Sequence, residues 1–167
     1  MVLTKSELIA SLKHEVQILV HLAGKIDPAK LDYRPTPKQR STFELLKYLT
    51  MMGPILVQSA LSGTFEAETW GTAQKAAEAR DFHETVAAIQ AQSHTFEKLL
   101  GSVPDEAFRE EVSIFGTASS RGAFLVNLVL GGYAAYRTQL FIYLKACGRD
   151  ELTTMNLWAG VDPPPAP

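Results

Sequence analysis

The stretch GAFLVNLVLGGYAAYRTQLFIYLKACG, from Gly122 to Gly148, decides the fold. Its apolar residues run nearly all the way round a helix of about 26 residues, the pattern of a segment at the centre of a bundle rather than on its surface. No charge occurs between Arg121 and Arg137, yet that run falls short of the ~20 residues a membrane span needs and holds Asn127 and three glycines. It reads as the core helix of a soluble bundle. Gly148 suits the left-handed position that closes such a helix, and Ser119 or Ser120 can cap its start.

The helices around it announce themselves by their starts. Thr4 with Glu7, Ser41 with Glu44 and Asp81 with Glu84 have the spacing of a capping box, in which a short polar side chain and a carboxylate satisfy free amides at a helix beginning. In helix 1, Leu8, Leu12, Val16, Leu19 and Ala23 share one face and put His14 and His21 on the opposite, water-facing side; Gly24 and Asp27-Pro28 end it. Residues 31–41, LDYRPTPKQRS, form an extended connector. Helix 2 turns Phe43, Leu46, Leu49 and Thr50 to the core, and Gly53-Pro54 should kink or break it before Ile55, Leu56 and Ser59 resume the pattern. Thr64 to Arg80 is alanine-rich and weakly amphipathic, a loop with at most a short helix. Helix 3 carries Phe82, Val86, Ile89, Ser93, Phe96 and Leu100, and the charged stretch from Pro104 to Glu111 leads to the central helix. Four amphipathic segments without strand alternation make an all-α four-helix bundle. Residues 1–150 are assigned to it, and 151–167 to a C-terminal extension that ends in an extended, solvated PPPAP tail. Leu157 and Trp158 are too apolar to stand in water, so their segment docks on the same chain or on a second subunit.

Composition narrows the function classes. The 167 residues are 46% hydrophobic and 20% charged with a net charge of −2, ordinary for one globular domain, and their Lys and Arg residues are scattered, so nucleic acid is not an expected partner. The single cysteine, Cys147, excludes an internal disulfide and any CxxC motif, and lies among apolar residues as an inert thiol. The first residues lack a basic region followed by an apolar one, so no secretory signal is read and a cytoplasmic location is expected.

Two segments carry a resemblance. Tyr33-Arg34-Pro35, Lys38-Gln39-Arg40-Ser41 and Glu44-Leu45-Leu46, with Tyr136-Arg137-Thr138-Gln139-Leu140 in the place of a His-Arg-Gly-Gln-Leu segment, resemble the DinB-like (YfiT/DinB) four-helix-bundle family. The resemblance implies a divalent metal such as zinc or nickel, held by one histidine on helix 2 and two on the last helix. The corresponding positions here are Tyr48, Gly132 and Tyr136. His14, His21, His83 and His94 are at least seven residues apart and supply no same-helix pair, and no carboxylate pair lines the gap between helix 2 and the last helix, so no catalytic residue and no metal is assigned. A candidate pocket of Tyr48, Thr50, Met51, Tyr133, Tyr136, Arg137 and Gln139 either fills itself with stacked phenols or holds a small molecule. The expected function is a small-molecule-binding or structural homodimeric bundle without a cofactor. Two alternatives stand: a divalent-metal-dependent hydrolase or thiol transferase with other ligands, and a protein-interaction module.

Overall fold

Reciprocal capping begins the long helices where the sequence puts them. In the computed structural model, which describes residues 3–164, the helices are α1 (Lys5–Ala23), α2 (Thr42–Ser62), α3 (Ala67–Ala79), α4 (Phe82–Gly101), α5 (Arg121–Phe124), α6 (Gly131–Ala146) and α7 (Thr154–Trp158). Thr4, Ser41 and Asp81 close the capping boxes of α1, α2 and α4, and Ser120 caps α5. The fold is an all-α bundle of α1, α2, α4 and the α5–α6 segment, with α3 laid outside α2 and α7 laid on α1. No helix among the described residues is long and apolar enough to cross a membrane. Pro163 and Pro164 of the tail are exposed; the last three tail residues, Pro165 to Pro167, lie outside the described residues.

The segment read as one continuous central helix is three pieces. Between α5 and α6, Leu125–Leu130 is π-helical, and the Gly131 amide reaches back five residues to the Val126 carbonyl. Its buried positions Leu125, Val129, Tyr133 and Arg137 lie four apart. That spacing drifts about 40° per step in a 3.6-residue helix, and the wider π turn takes up the drift. The segment is also not central: Val126 and Ile142 on its outer side are 38% and 57% exposed. The most enclosed helix is α2, with 12 of its 21 residues buried and α3, α4, α6 and the π-helical turn packed on it.

α2 is not broken at Gly53-Pro54 but runs unbroken through both. Tyr133 of α6 lies directly over Gly53, where an added Cβ would stand 2.6 Å from two of its ring carbons. The Tyr133 hydroxyl donates to Gln92 Oε1, and Gln92 Nε2 donates to the Leu49 carbonyl at 2.8 Å, so α4 braces α2 in the turn before the proline. Phe43 is only half-buried, stacked on Phe82 under Lys47, while Leu45 takes the core position. On α4 the inward residue is Gln92 rather than Ser93.

Two further departures have local causes. The 64–80 stretch contains the 13-residue α3, of which only Ala77 is buried. Glu111–Ile114 (β1) and Thr117–Ser120 (β2) pair as an antiparallel hairpin where an irregular connection was expected, its two-residue turn formed by Phe115 and Gly116, both with positive φ. Phe115 tolerates this strained conformation with its ring, 62% exposed, against Phe65.

The C-terminal segment docks on its own chain and overturns the reading of His21 as a water-facing residue. Asn156 is buried and donates through Nδ2 to His21 Nε2 (3.0 Å) and Asp162 Oδ1 (2.9 Å). His14 stays exposed but donates from Nε2 to the Trp158 carbonyl at 2.8 Å. α1 therefore buries Ile18 on a second face as well as its expected one.

Two measurements test this packing. Gly53→Ala should lower unfolding free energy by about 1–3 kcal/mol through overpacking against Tyr133. Gly71→Ala, with nothing within 4 Å of the added methyl, should raise it by roughly 0.5–1 kcal/mol through helix propensity. Urea titrations in which both changes have the same sign would refute the close approach. Burial, then Lys25, holds the His21 imidazole below its ordinary pKa against the opposing Asp162 carboxylate. Because the unfolded chain then takes up that proton first, its contribution is complete above about pH 6.5 and is lost as pH falls below that value. The melting temperature should drop between pH 7.5 and 5.5, and His21→Gln should flatten that slope; parallel slopes would refute the assignment.

Candidate functional site

Two helical stripes face each other across the outer side of α2. The capping box at Ser41 fixes the first turn of α2, so Glu44, Tyr48 and Met51 follow at four- and three-residue steps along one line. On α3 the same steps align Trp70, Gln74 and Ala77. With Arg40, Lys47 and Glu78 at the rim, these residues enclose a cleft of about 290 Å³. Met51, Ile55 and Ala77 form a small apolar cluster of their own, with Phe65, Trp70 and Ala73 packed against it.

Aromatic edges hold the wall upright. Phe115, Phe65, Trp70, Tyr48 and Tyr136 meet ring to ring in sequence, with centroids 5.0, 5.5, 5.9 and 5.2 Å apart, joining the hairpin tip to α6. The two pairs made by Tyr48 are edge to face and the two made by Phe65 are tilted; edge-to-face pairs are worth about 0.5–1.5 kcal/mol each beyond the area they bury. The Arg40 guanidinium lies over the Tyr48 ring, 3.9 Å from its centroid.

The acidic groups at the rim are engaged within the fold. Glu44 accepts from the Ser41 amide at 2.7 Å and pairs with Arg34 at 3.2 Å, and these contacts, the amide first, hold its carboxyl below the ordinary carboxylate range. Glu78 accepts from Gln74 Nε2 at 3.0 Å, while Lys47 Nζ donates to the Glu78 carbonyl at 2.7 Å. Arg40 is held by its backbone: the Tyr143 hydroxyl donates to its carbonyl at 3.0 Å and accepts from Gln139 Nε2 at 2.6 Å.

The seven residues expected to share a pocket therefore part company. Tyr48 and Met51 line the cleft, and Tyr136 packs directly behind Tyr48. Thr50 donates to the Lys47 carbonyl and accepts from Arg80 at 3.1 Å. Tyr133 is in the bundle interior against Phe96, and Gln139 supports Tyr143. Gly132 faces Met52, whose sulfur would stand 3.3 Å from an added Cβ. Trp70, Gln74 and Arg40 complete the cleft in their place; the Trp70–Gln74–Ala77 spacing was the signal for the first two, set in a stretch read as a loop.

Arg137 leaves this region altogether. One residue turns a helix by about 100°, so the neighbour of Tyr136 faces α1, not α2. There Arg137 Nη1 meets Glu15 Oε1 at 3.0 Å, with side chains only 6% and 8% exposed, and the Trp158 ring lies 4.8 Å from the guanidinium. Among the described residues, Glu15 Oε2 and Arg137 Nε have no hydrogen-bond partner. Burial raises the Glu15 carboxyl above its ordinary value, partly offset by Arg137.

Comparison with known proteins bears on the fold. No family model matches the chain, and no curated protein matches it. Among solved structures it matches the crystal structure of a DinB-like protein, YjoA from Bacillus subtilis, with a TM-score of 0.68 at 18% identity over 87% of this chain and 94% of that one. The chain has a DinB-like fold. At that identity the match speaks for the backbone arrangement alone, so the site's chemistry is argued from this chain's own residues.

Removing one member of the Glu15–Arg137 pair strands a charge in a nearly dry place. Arg137→Ala should cost about 3–5 kcal/mol in urea denaturation, and combining Arg137→Met with Glu15→Leu should restore most of it. A loss below about 1 kcal/mol for the single variant would mean that water reaches the pair.

Proposed function

We propose that this chain is a cytoplasmic DinB-like bundle without the imidazole triad of that family, and that it binds a small molecule in the Tyr48–Trp70 cleft without catalysing a reaction. The observation that carries this reading is the cleft itself: a concave space with an apolar floor, an indole wall and a few convergent polar groups, at the small end of the size range of ligand sites. The preformed aromatic wall favours binding, because its rings have little conformational freedom left to lose.

The side chains at the positions of the family's ligands do not fit a zinc- or nickel-type ion. Tyr48 and Tyr136 offer phenols packed edge to face, and burial, then the adjoining Tyr136 phenol, push the Tyr48 hydroxyl above its ordinary pKa, so it keeps its proton. Gly132 has no ligand atom. Among the described residues no three His, Cys, Asp or Glu side chains group as a ligand set.

A thermal-shift screen of uncharged and charged compounds of one or two rings should raise the melting temperature of the full chain, and Trp70→Ala should abolish the shift while leaving the unliganded protein folded. A screen without a hit, or hits indifferent to Trp70→Ala, would refute the cleft reading. Stoichiometric zinc or nickel on the purified protein, with a chelator-sensitive melting temperature, would favour the metal-dependent hydrolase or thiol transferase instead.

A homodimer accompanies this reading, on one observation. The outer side of α5–α6 presents Val126, Gly131, Ala135, Thr138 and Ile142 with no charge among them, a surface suited to a self-complementary helix contact. Ile142→Arg should then convert a dimer to a monomer in light scattering; a wild-type monomer at tens of micromolar would refute it.

A further inference from the structure

We propose that the Tyr48–Trp70 cleft selects a planar aromatic carboxylate, the ring body lying on Trp70, Tyr48 and Met51 and the anion meeting the free edge of Arg40. This rests on the small-molecule reading above and adds the ligand's chemistry to it. Of the four charged side chains around the cleft, three have their place in the fold. Glu44 serves the α2 cap and Arg34, Glu78 accepts from Gln74, and Lys47 donates to the Glu78 carbonyl with its ammonium over Phe43. Arg40 differs. One face of its guanidinium rests on the Tyr48 ring, and among the described residues no carboxylate pairs with it and none of its five N–H groups donates to an acceptor. A guanidinium fork in that state matches the two oxygens of a carboxylate.

Its position is prepared as well. The Tyr143 hydroxyl holds the Arg40 carbonyl, Gln139 holds Tyr143, and Tyr33 packs edge to face on the Tyr143 ring at 5.5 Å. The guanidinium, 3.9 Å from the Tyr48 centroid, lines the same cleft as Trp70 and Met51, so a ring carrying an in-plane carboxylate can reach it while lying on apolar surface. The remaining lining disfavours other occupants. A cation would meet Arg40 and Lys47 with only the Glu78 carboxylate, already accepting from Gln74, to receive it, and about 290 Å³ holds one or two fused rings but no folded peptide.

The test compares 2-naphthoate with 2-naphthamide, nearly the same shape without the charge, by calorimetric titration of the full chain. 2-Naphthoate should bind about tenfold or more tightly than the amide, and Arg40→Gln should bring the two within about twofold, chiefly by weakening the acid. Arg40→Lys, which keeps the charge but not the fork, should retain only part of the preference. Equal binding of acid and amide, both abolished by Trp70→Ala, would overturn the carboxylate assignment and leave the cleft reading standing. A preference for the acid that survives Arg40→Gln would overturn the role given to Arg40. Binding of neither compound would overturn this proposal, and the small-molecule reading falls with it only if the uncharged compounds of the screen also fail.

Discussion

α2 and α6 approach as closely as they do because position 53 has no side chain. A tyrosine ring occupies the space a Cβ would need, and its hydroxyl is tied through Gln92 to the backbone of the very helix it presses against. Such an arrangement is self-consistent at three levels. The glycine lowers helix propensity, the proline after it removes an amide donor, and the same two residues admit the aromatic group that locks three helices together. The weakest point of α2 as an isolated helix is the point where its neighbours grip it most tightly.

That inversion explains which parts of the fold could be read from the residues. The capping boxes at Thr4, Ser41 and Asp81 are local chemistry and hold in any context, so the starts of α1, α2 and α4 were legible. Pro54 misleads because its usual effect is offset by contacts that no local pattern displays. His21 misleads because α1 has two buried faces, the second supplied by a segment far along the chain. The hairpin hides because Phe115 takes a turn position that sequence reasoning reserves for glycine or asparagine.

The site was legible in a different proportion. Tyr48 and Met51 were identified, yet adjacency in sequence drew Arg137 and Gln139 into the same group although one faces α1 and the other braces the connector. Arg40 was visible only as part of a resemblance, since its role depends on the fold of an irregular segment over the Tyr48 ring. The packing that joins Tyr48 to Tyr136 on one side and Trp70 on the other makes the back wall of the recess.

The light anchoring of α3 has a kinetic meaning. With Ala77 as its only buried residue, this helix is attached to the bundle by a few aromatic contacts, one alanine and two hydrogen bonds, from Lys47 to the Glu78 carbonyl and from Arg80 to Thr50. Elements held so lightly open locally at a small fraction of the global free energy, while the four bundle helices stay closed. The outer wall of the cleft is thus its most readily displaced part, and a molecule bound there as proposed would leave by a brief outward excursion of α3 rather than by threading a rigid mouth. Its residence time would then be set by how firmly one exposed helix re-seats.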